Sequence, residues 1–127
     1  MIDHVSVKTS NQGASRRFYE RALAPLGYAV LMEFEEGQVV GMGVGRKPDF
    51  WLSPGEPSGP IHLAFQATDR ASVDAFHAAA LAAGGKDNGP PGPRPEYHPG
   101  YYGAFAYDPD GNNVEAVFHD PSEMKKP

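Results

Sequence analysis

The chain says nearly the same thing twice, and that repetition limits its possible folds more than any other feature. His4-Val5-Ser6-Val7-Lys8-Thr9-Ser10 aligns with His62-Leu63-Ala64-Phe65-Gln66-Ala67-Thr68 at an offset of 58 positions. The same offset carries Phe18 onto Phe76, Ala22 onto Ala80, Leu23 onto Leu81 and Gly27 onto Gly85. One shift that preserves a strand, a helix cap, an apolar helical stripe and a helix-ending glycine marks an internal duplication.

Residues 2–8 alternate, with Asp3, Val5 and Val7 on one face and Ile2, His4 and Ser6 on the other, which is strand periodicity. Ser10 is positioned to cap a helix whose apolar stripe runs through Ala14, Phe18 and Ala22, and Pro25 and Gly27 stop it near Leu26. Residues 28–34 and 38–45 read as strands about a turn at Glu35-Glu36-Gly37, and Phe50-Trp51-Leu52 as a third short strand. Of Phe50 and Trp51, at least one is expected to fill core. Module one, about 1–53, is therefore β-α-β-β-β, and Ser53 to Pro60 supplies turn residues for a linker over about 54–60.

Module two, about 61–120, opens with Ile61, Leu63 and Phe65 facing opposite to His62, Ala64 and Gln66. Thr68 or Asp69 caps a helix carrying Val73, Phe76, Ala80 and Ala83, closed by Gly84-Gly85. Five prolines and three glycines between Lys86 and Gly100 exclude a helix or a central strand, so the segment reads as a long loop. Residues 101–107 and 113–118 make a hairpin about Asp108-Pro109-Asp110-Gly111-Asn112. A tail follows at 121–127, and its Lys125-Lys126 pair reads as solvated.

At 127 residues the chain is one domain's worth, predicted to be α+β. A formal charge of −5 with scattered basic residues argues against nucleic acid and anionic membrane as partners. The absence of cysteine removes disulfides, thiolate metal sites and a Cys nucleophile. With no leader-like N-terminus and no run of roughly 20 apolar residues, a soluble cytoplasmic protein is the expectation.

The faces not needed for packing carry His4 and Ser6 in one half and His62, Ala64 and Gln66 in the other, while Asn113, Glu115 and Val117 share a face of the last strand. If the halves pack side by side, these faces form one concave wall bearing His4, His62 and Glu115. Two imidazoles and a carboxylate in open geometry suit Fe2+, Mn2+, Zn2+ or Ni2+, leaving room for water or substrate. Any one of them taken singly is more commonly a half-buried polar residue with a hydrogen-bond partner. The recurrence of His at one strand position in both halves favours the metal for the set.

These residues, together with Phe18-Tyr19 and the run from Phe105 through Asp108-Pro109-Asp110-Gly111-Asn112 to Glu115, resemble the vicinal oxygen chelate superfamily of glyoxalases, bleomycin-resistance proteins and extradiol dioxygenases. The resemblance spans nearly the whole chain. It implies two repeated β-α-β-β-β modules forming a cup-shaped mixed sheet with helices on the outer face, and a divalent metal held by His4, His62 and Glu115. It also implies a small oxygenated substrate chelated through vicinal oxygens, with dioxygenase-like or glyoxalase-like lyase or isomerase chemistry. A homodimer is expected, and a duplicated module permits its halves to pair within one chain or across the dimer. Glyoxalases of the family carry a fourth ligand where this chain has Phe50-Trp51-Leu52, with Asp49 just outside the register.

His98, at the end of the Pro/Gly loop, is a candidate acid or base, and Tyr97, Tyr101 or Tyr102 a candidate donor to a developing oxyanion, with His98 and Tyr102 the expected catalytic pair. The other class of function is a metal-free protein that sequesters an aromatic or antibiotic ligand in the cup. The Asp108–Asn112 run lacks the glycine position and the twelfth-position glutamate of a calcium loop. The glycines at 41, 43 and 45 lack phosphate-loop spacing, and His77 and His119, unmatched in the repeat, are expected to face solvent.

Overall fold

In the computed structural model, residues 1–124 are described; Lys125-Lys126, read above as a solvated tail, lie outside them. Module one runs β1 (Val5–Thr9), α1 (Gln12–Leu23), β2 (Ala29–Phe34), β3 (Val39–Gly43) and β4 (Phe50–Pro54). Module two repeats the order with β5 (His62–Gln66), α2 (Arg70–Ala82), β6 (Lys86–Pro93), β7 (Tyr101–Tyr107) and β8 (Asn113–His119). Each module builds one four-stranded mixed sheet, ordered β1-β4-β3-β2 and β5-β8-β7-β6. In both, the first strand runs parallel to the last and the remaining pairs are antiparallel. The duplication read from sequence is thus a duplication of topology.

Local chemistry explains the elements, with two adjustments. Asn11, not Ser10, caps α1, its side chain accepting from the Ala14 N–H at 3.1 Å. Ser10 is drawn away by Asp110 of the β7–β8 turn, which takes both its N–H and its hydroxyl. Asp69 caps α2 by accepting from the Ser72 N–H at 2.7 Å. Gly84, at φ +97, makes the left-handed exit from α2. Its neighbour Gly85 serves a different need, since a Cβ there would lie 2.6 Å from Phe18 and 2.8 Å from the Ala80 carbonyl.

The segment read as a loop over 86–100 divides in two. Residues 86–93 are β6, an edge strand whose register shifts at Asp87/Gly89 and again at Gly89/Gly92. Prolines are tolerated there because an edge strand is paired on one side only, so a missing N–H need not break a ladder. Only 94–100 remains a turn.

The core is a single cluster spanning both modules. Val7, Phe18, Leu23, Met42, Phe50 and Leu52 join Phe65, Val73, Phe76, Ala104, Val114 and Ala116. Helices α1 and α2 pack on one another as well as on their own sheets. Aromatic contacts stitch the seam, with Phe50–Phe65 at 5.3 Å and Tyr28–Phe65 at 5.4 Å between centroids, and Tyr19 backs Phe50 at 4.8 Å within module one. Of Phe50 and Trp51, the first is core and the second lies on the open face, its indole so close over Gly41 that a Cβ there would sit 2.7 Å away.

The seam also holds a buried polar knot. Tyr19 of α1 donates to Asp108 Oδ2 at 2.5 Å, and Asp108 further accepts from Asn112 Nδ2 and from the Asp110 and Asn112 N–H groups at 2.8–2.9 Å. Desolvation first, then the Asp108 charge, pushes the Tyr19 phenol well above its ordinary value of 10.0. Below about pH 10 both folded and unfolded chains hold this proton; above it the unfolded chain releases it first, so stability falls as pH rises. Urea midpoints between pH 8 and pH 11 are expected to decline, with this phenol contributing up to about 1.4 kcal/mol per pH unit, and Tyr19→Phe should flatten the decline.

Candidate metal and ligand site

Strand alternation sets the second sheet's open face. The parallel register pairs Ala64 with Glu115 and His62 with Asn113, and the antiparallel register pairs Phe105 with Glu115. His62, Glu115 and Phe105 therefore share the face that α2 does not cover. His62 Nε2 donates to Glu115 Oε1 at 2.8 Å, while the Tyr101 hydroxyl donates to the other carboxylate oxygen, Oε2. Glu115 is 1% exposed, and its burial is tolerable because both oxygens are satisfied. The His62 imidazole is half exposed, so this pair opens to solvent on the imidazole side.

Tyr101 is the pivot of the face. Desolvation, then its bond to Glu115, raises the phenol above its ordinary range, so it remains a donor at neutral pH. Its ring packs edge-on against Tyr97 at 4.9 Å, His98 at 5.3 Å and His119 at 5.3 Å. His98 Nδ1 donates to the Pro99 carbonyl at 2.8 Å, and its Nε2 lies 3.0 Å from His119 Nδ1. His98 is thus one phenol removed from Glu115.

Tyr102 sits elsewhere. Its register partner is Phe118, on the helix-covered side, and its hydroxyl donates to Asp74 of α2 at 2.7 Å with the Arg70 guanidinium over its ring. His119 and His77 are not the solvent-facing residues expected from sequence. His119 stacks on His98, and His77 is 9% exposed and bonded to Asp87 at 2.9 Å, because each lies at a strand or helix position covered by a neighbouring element.

His4 stands just before β1 on the open face of the first sheet. It pairs with Asp3 at 2.7 Å and lines a broad hollow of about 530 Å³ with Ser6, Met32, Phe34 and Trp51. His4 first, then Lys47, holds the Asp3 carboxyl below the usual range. Among the described residues, no group of three or more His, Cys, Asp or Glu side chains is close enough to hold a metal ion. Of the three sequence-derived ligands the fold thus brings His62 and Glu115 together and leaves His4 in the other hollow. Asp49, the carboxylate nearest the fourth-ligand position, accepts from Tyr28 at 2.8 Å in a cleft of about 260 Å³ between the modules.

Sequence reasoning gave no site role to Arg94 or Phe105. The Arg94 guanidinium lies over the Phe105 ring at 5.5 Å, and the same ring is 6.2 Å from the His62 imidazole. Counting by twos from Glu115 through the hairpin would have placed Phe105, Gly103 and Tyr101 on one face. No comparable sequence signal points to Arg94.

The fold has close structural counterparts. A glyoxalase/bleomycin resistance protein from Albidiferax ferrireducens is 30% identical, with a TM-score of 0.75 over 91% of this chain and 95% of that one. Lactoylglutathione lyase from Agrobacterium tumefaciens is 23% identical, with a TM-score of 0.67 over 93% and 92%, and TioX from Micromonospora is 16% identical at 0.66 over 91% and 93%; these two show likeness of fold alone. No curated protein matches the chain in sequence. No helix among the described residues is long and apolar enough to cross a membrane. The family description Glyoxalase/Bleomycin resistance protein/Dioxygenase superfamily matches residues 1–116. With the doubled β-α-β-β-β topology and this match over most of its length, the chain belongs to the glyoxalase/bleomycin resistance protein/dioxygenase superfamily.

Proposed function

We propose that the protein is a metal-dependent enzyme acting on a small oxygenated molecule that chelates through adjacent oxygens, with His62 and Glu115 as the metal-holding pair. The observation that carries this reading is their separation. His62 Nε2 and Glu115 Oε1 are 2.8 Å apart on the open face of the second sheet, with the imidazole half exposed. Adjacent donors around a tetrahedral cation with bonds of about 2.0–2.2 Å stand roughly 3.3–3.6 Å apart, so deprotonation of Nε2 and a small opening of this pair would admit an ion. Tyr101 supports the fit by anchoring the far carboxylate oxygen, as outer-shell partners do in metal sites.

The third donor in this reading is His4 of a second copy. His4 is absent from the His62–Glu115 group within one chain, and the hollow it lines exposes Met32 and Phe34, at 44% and 55%. A homodimer that laid the first sheet's open face against the second sheet's open face would cover this apolar surface and complete the ligand set.

When bound, the ion would act as a Lewis acid towards substrate oxygens. The protein's own contribution is positional. Tyr101 stays protonated and keeps the Glu115 carboxylate oriented, His98 and His119 hold the Tyr101 ring in place, and Phe105 packs beneath the His62 imidazole. His98 Nε2 faces His119 Nδ1 across 3.0 Å while its Nδ1 stays on the Pro99 carbonyl. Tyr102, bonded to Asp74, has a structural role in this scheme.

One observation favours the other reading, a metal-free binder. Both Glu115 oxygens are already satisfied by protein donors. Elemental analysis decides between them. Protein purified without chelators is expected to carry about one metal per site, lost in His62→Ala. Protein that takes up none, even after reconstitution with iron(II), manganese and zinc, would be the binder.

A further inference from the structure

We propose that Arg94 is the anion-binding residue of the second sheet's open face, and that the substrate bound there carries a carboxylate beside its chelating oxygens. This rests on the His62–Glu115 reading above and extends it to a class of substrate.

The guanidinium is held in a built position. Arg94 turns back along β6, donating from Nη2 to the Pro90 carbonyl at 2.7 Å and from Nη1 to the Pro93 carbonyl at 3.4 Å. The glycines of that strand leave the strip on which it lies. A Cβ at Gly89 would stand 3.3 Å from Nη2, and one at Gly92 would stand 3.2 Å from Nη1. Any larger residue at either position would press on the guanidinium.

Its charge is unspent. Both acceptors are neutral carbonyls, and among the described residues no ion pair includes Arg94. Two of the five N–H donors are engaged in these bonds, which leaves three for a ligand. Glu115, the carboxylate on the same face, is committed to His62 and Tyr101.

Its place relative to the chelating pair is also defined. Phe105 pairs in register with Glu115 on one side and with Gly89 on the other, so His62, Glu115, Phe105 and Arg94 cross the sheet in that order. The Phe105 ring lies 6.2 Å from the His62 imidazole and 5.5 Å from the Arg94 guanidinium carbon. Phe105 is buried beneath these groups and fixes their spacing, so a small planar molecule would lie across the open face above it, with chelating oxygens at the His62 end and a carboxylate at the Arg94 end. A rigid guanidinium fork meets a carboxylate by two parallel hydrogen bonds, the geometry that selects Arg over Lys. The Arg94 charge is also felt at the Tyr101 phenol, where it opposes the upward shift.

Calorimetric titration of the manganese(II)-loaded protein with catechol and with 3,4-dihydroxybenzoate tests the assignment, because the two probes differ only in the carboxylate. The wild-type protein is expected to bind 3,4-dihydroxybenzoate about tenfold or more tighter than catechol. Arg94→Gln should erase that preference by weakening 3,4-dihydroxybenzoate more than catechol, while Arg94→Lys should retain part of it. An undiminished preference in Arg94→Gln, or no binding of 3,4-dihydroxybenzoate to the wild type, would overturn the proposal. His62→Ala separates the two layers of the argument. If it weakens both probes and spares the preference, the chelating reading stands as well. If it changes neither probe while Arg94→Gln still abolishes the preference, the chelating reading fails and the anion site survives.

Discussion

Asp108→Ala is expected to destabilise the protein by about 3–5 kcal/mol, a large share of the roughly 5–15 kcal/mol that holds a domain of this size folded. Asp108 is 5% exposed and accepts four hydrogen bonds, one of them from Tyr19 in the other module. Its removal strands the Tyr19 hydroxyl, whose residue is 0% exposed, and the Asn112 amide, 3% exposed. A buried donor left without an acceptor costs about 1–3 kcal/mol, and the turn that Asp108 closes through the Asp110 and Asn112 N–H groups loosens as well. The check is a double-mutant cycle by urea unfolding. Tyr19→Phe should be destabilising in the wild type and nearly neutral in Asp108→Ala, because the second change removes a donor already orphaned. Additive effects would show that the two side chains do not depend on each other.

Glu115→Gln is expected to separate binding from folding. The amide has the shape of the carboxylate and can still accept from Tyr101, so loss of stability should stay below about 1.5 kcal/mol. Metal affinity should fall by about a hundredfold or more, since the only anionic donor of the proposed set becomes neutral. Titration with manganese(II) or zinc, followed beside the melting temperature with and without metal, measures both. In the wild type, metal should raise the melting temperature by linkage, and in Glu115→Gln that rise should vanish. An unchanged metal affinity would remove Glu115 from the ligand set.

Both predictions concern places where the modules, or the strands within one module, meet. Those meeting points were unequally visible in the sequence. The repeat announced two modules, and alternation in residues 61–67 and 113–118 put His62 and Glu115 on faces that the helices do not need. The Asp-Pro-Asp-Gly-Asn turn was legible as a hairpin, and its side chains proved to close that turn as expected of Asp and Asn. That Asp108 would also take a hydrogen bond from α1 was not legible, because nothing local links positions 19 and 108.

The Pro/Gly segment shows the limit from the other side. Proline excludes a central strand, but whether a strand is central or at an edge is a property of the sheet and not of the strand. Residues 86–93 therefore read as a loop and folded as β6. The choice between Tyr101 and Tyr102 turned on register in the same way. Adjacent residues face opposite ways, and only the pairing of Tyr101 with His119 and of Tyr102 with Phe118 decides which phenol meets Glu115.

By itself, then, the sequence determined what depends on neighbours along the chain: the duplication, the alternating faces, the two helices and the hairpin. Tertiary structure alone decided what converges. It joined Glu115 to His62 and Tyr101, stacked His98 on His119, laid Arg94 over Phe105 and kept His4 in a separate hollow. The physical reason is that periodicity fixes only which way a side chain points from its own strand. Distance between side chains on different strands is set by register, sheet order and the packing of one module on the other, and none of these is a local quantity.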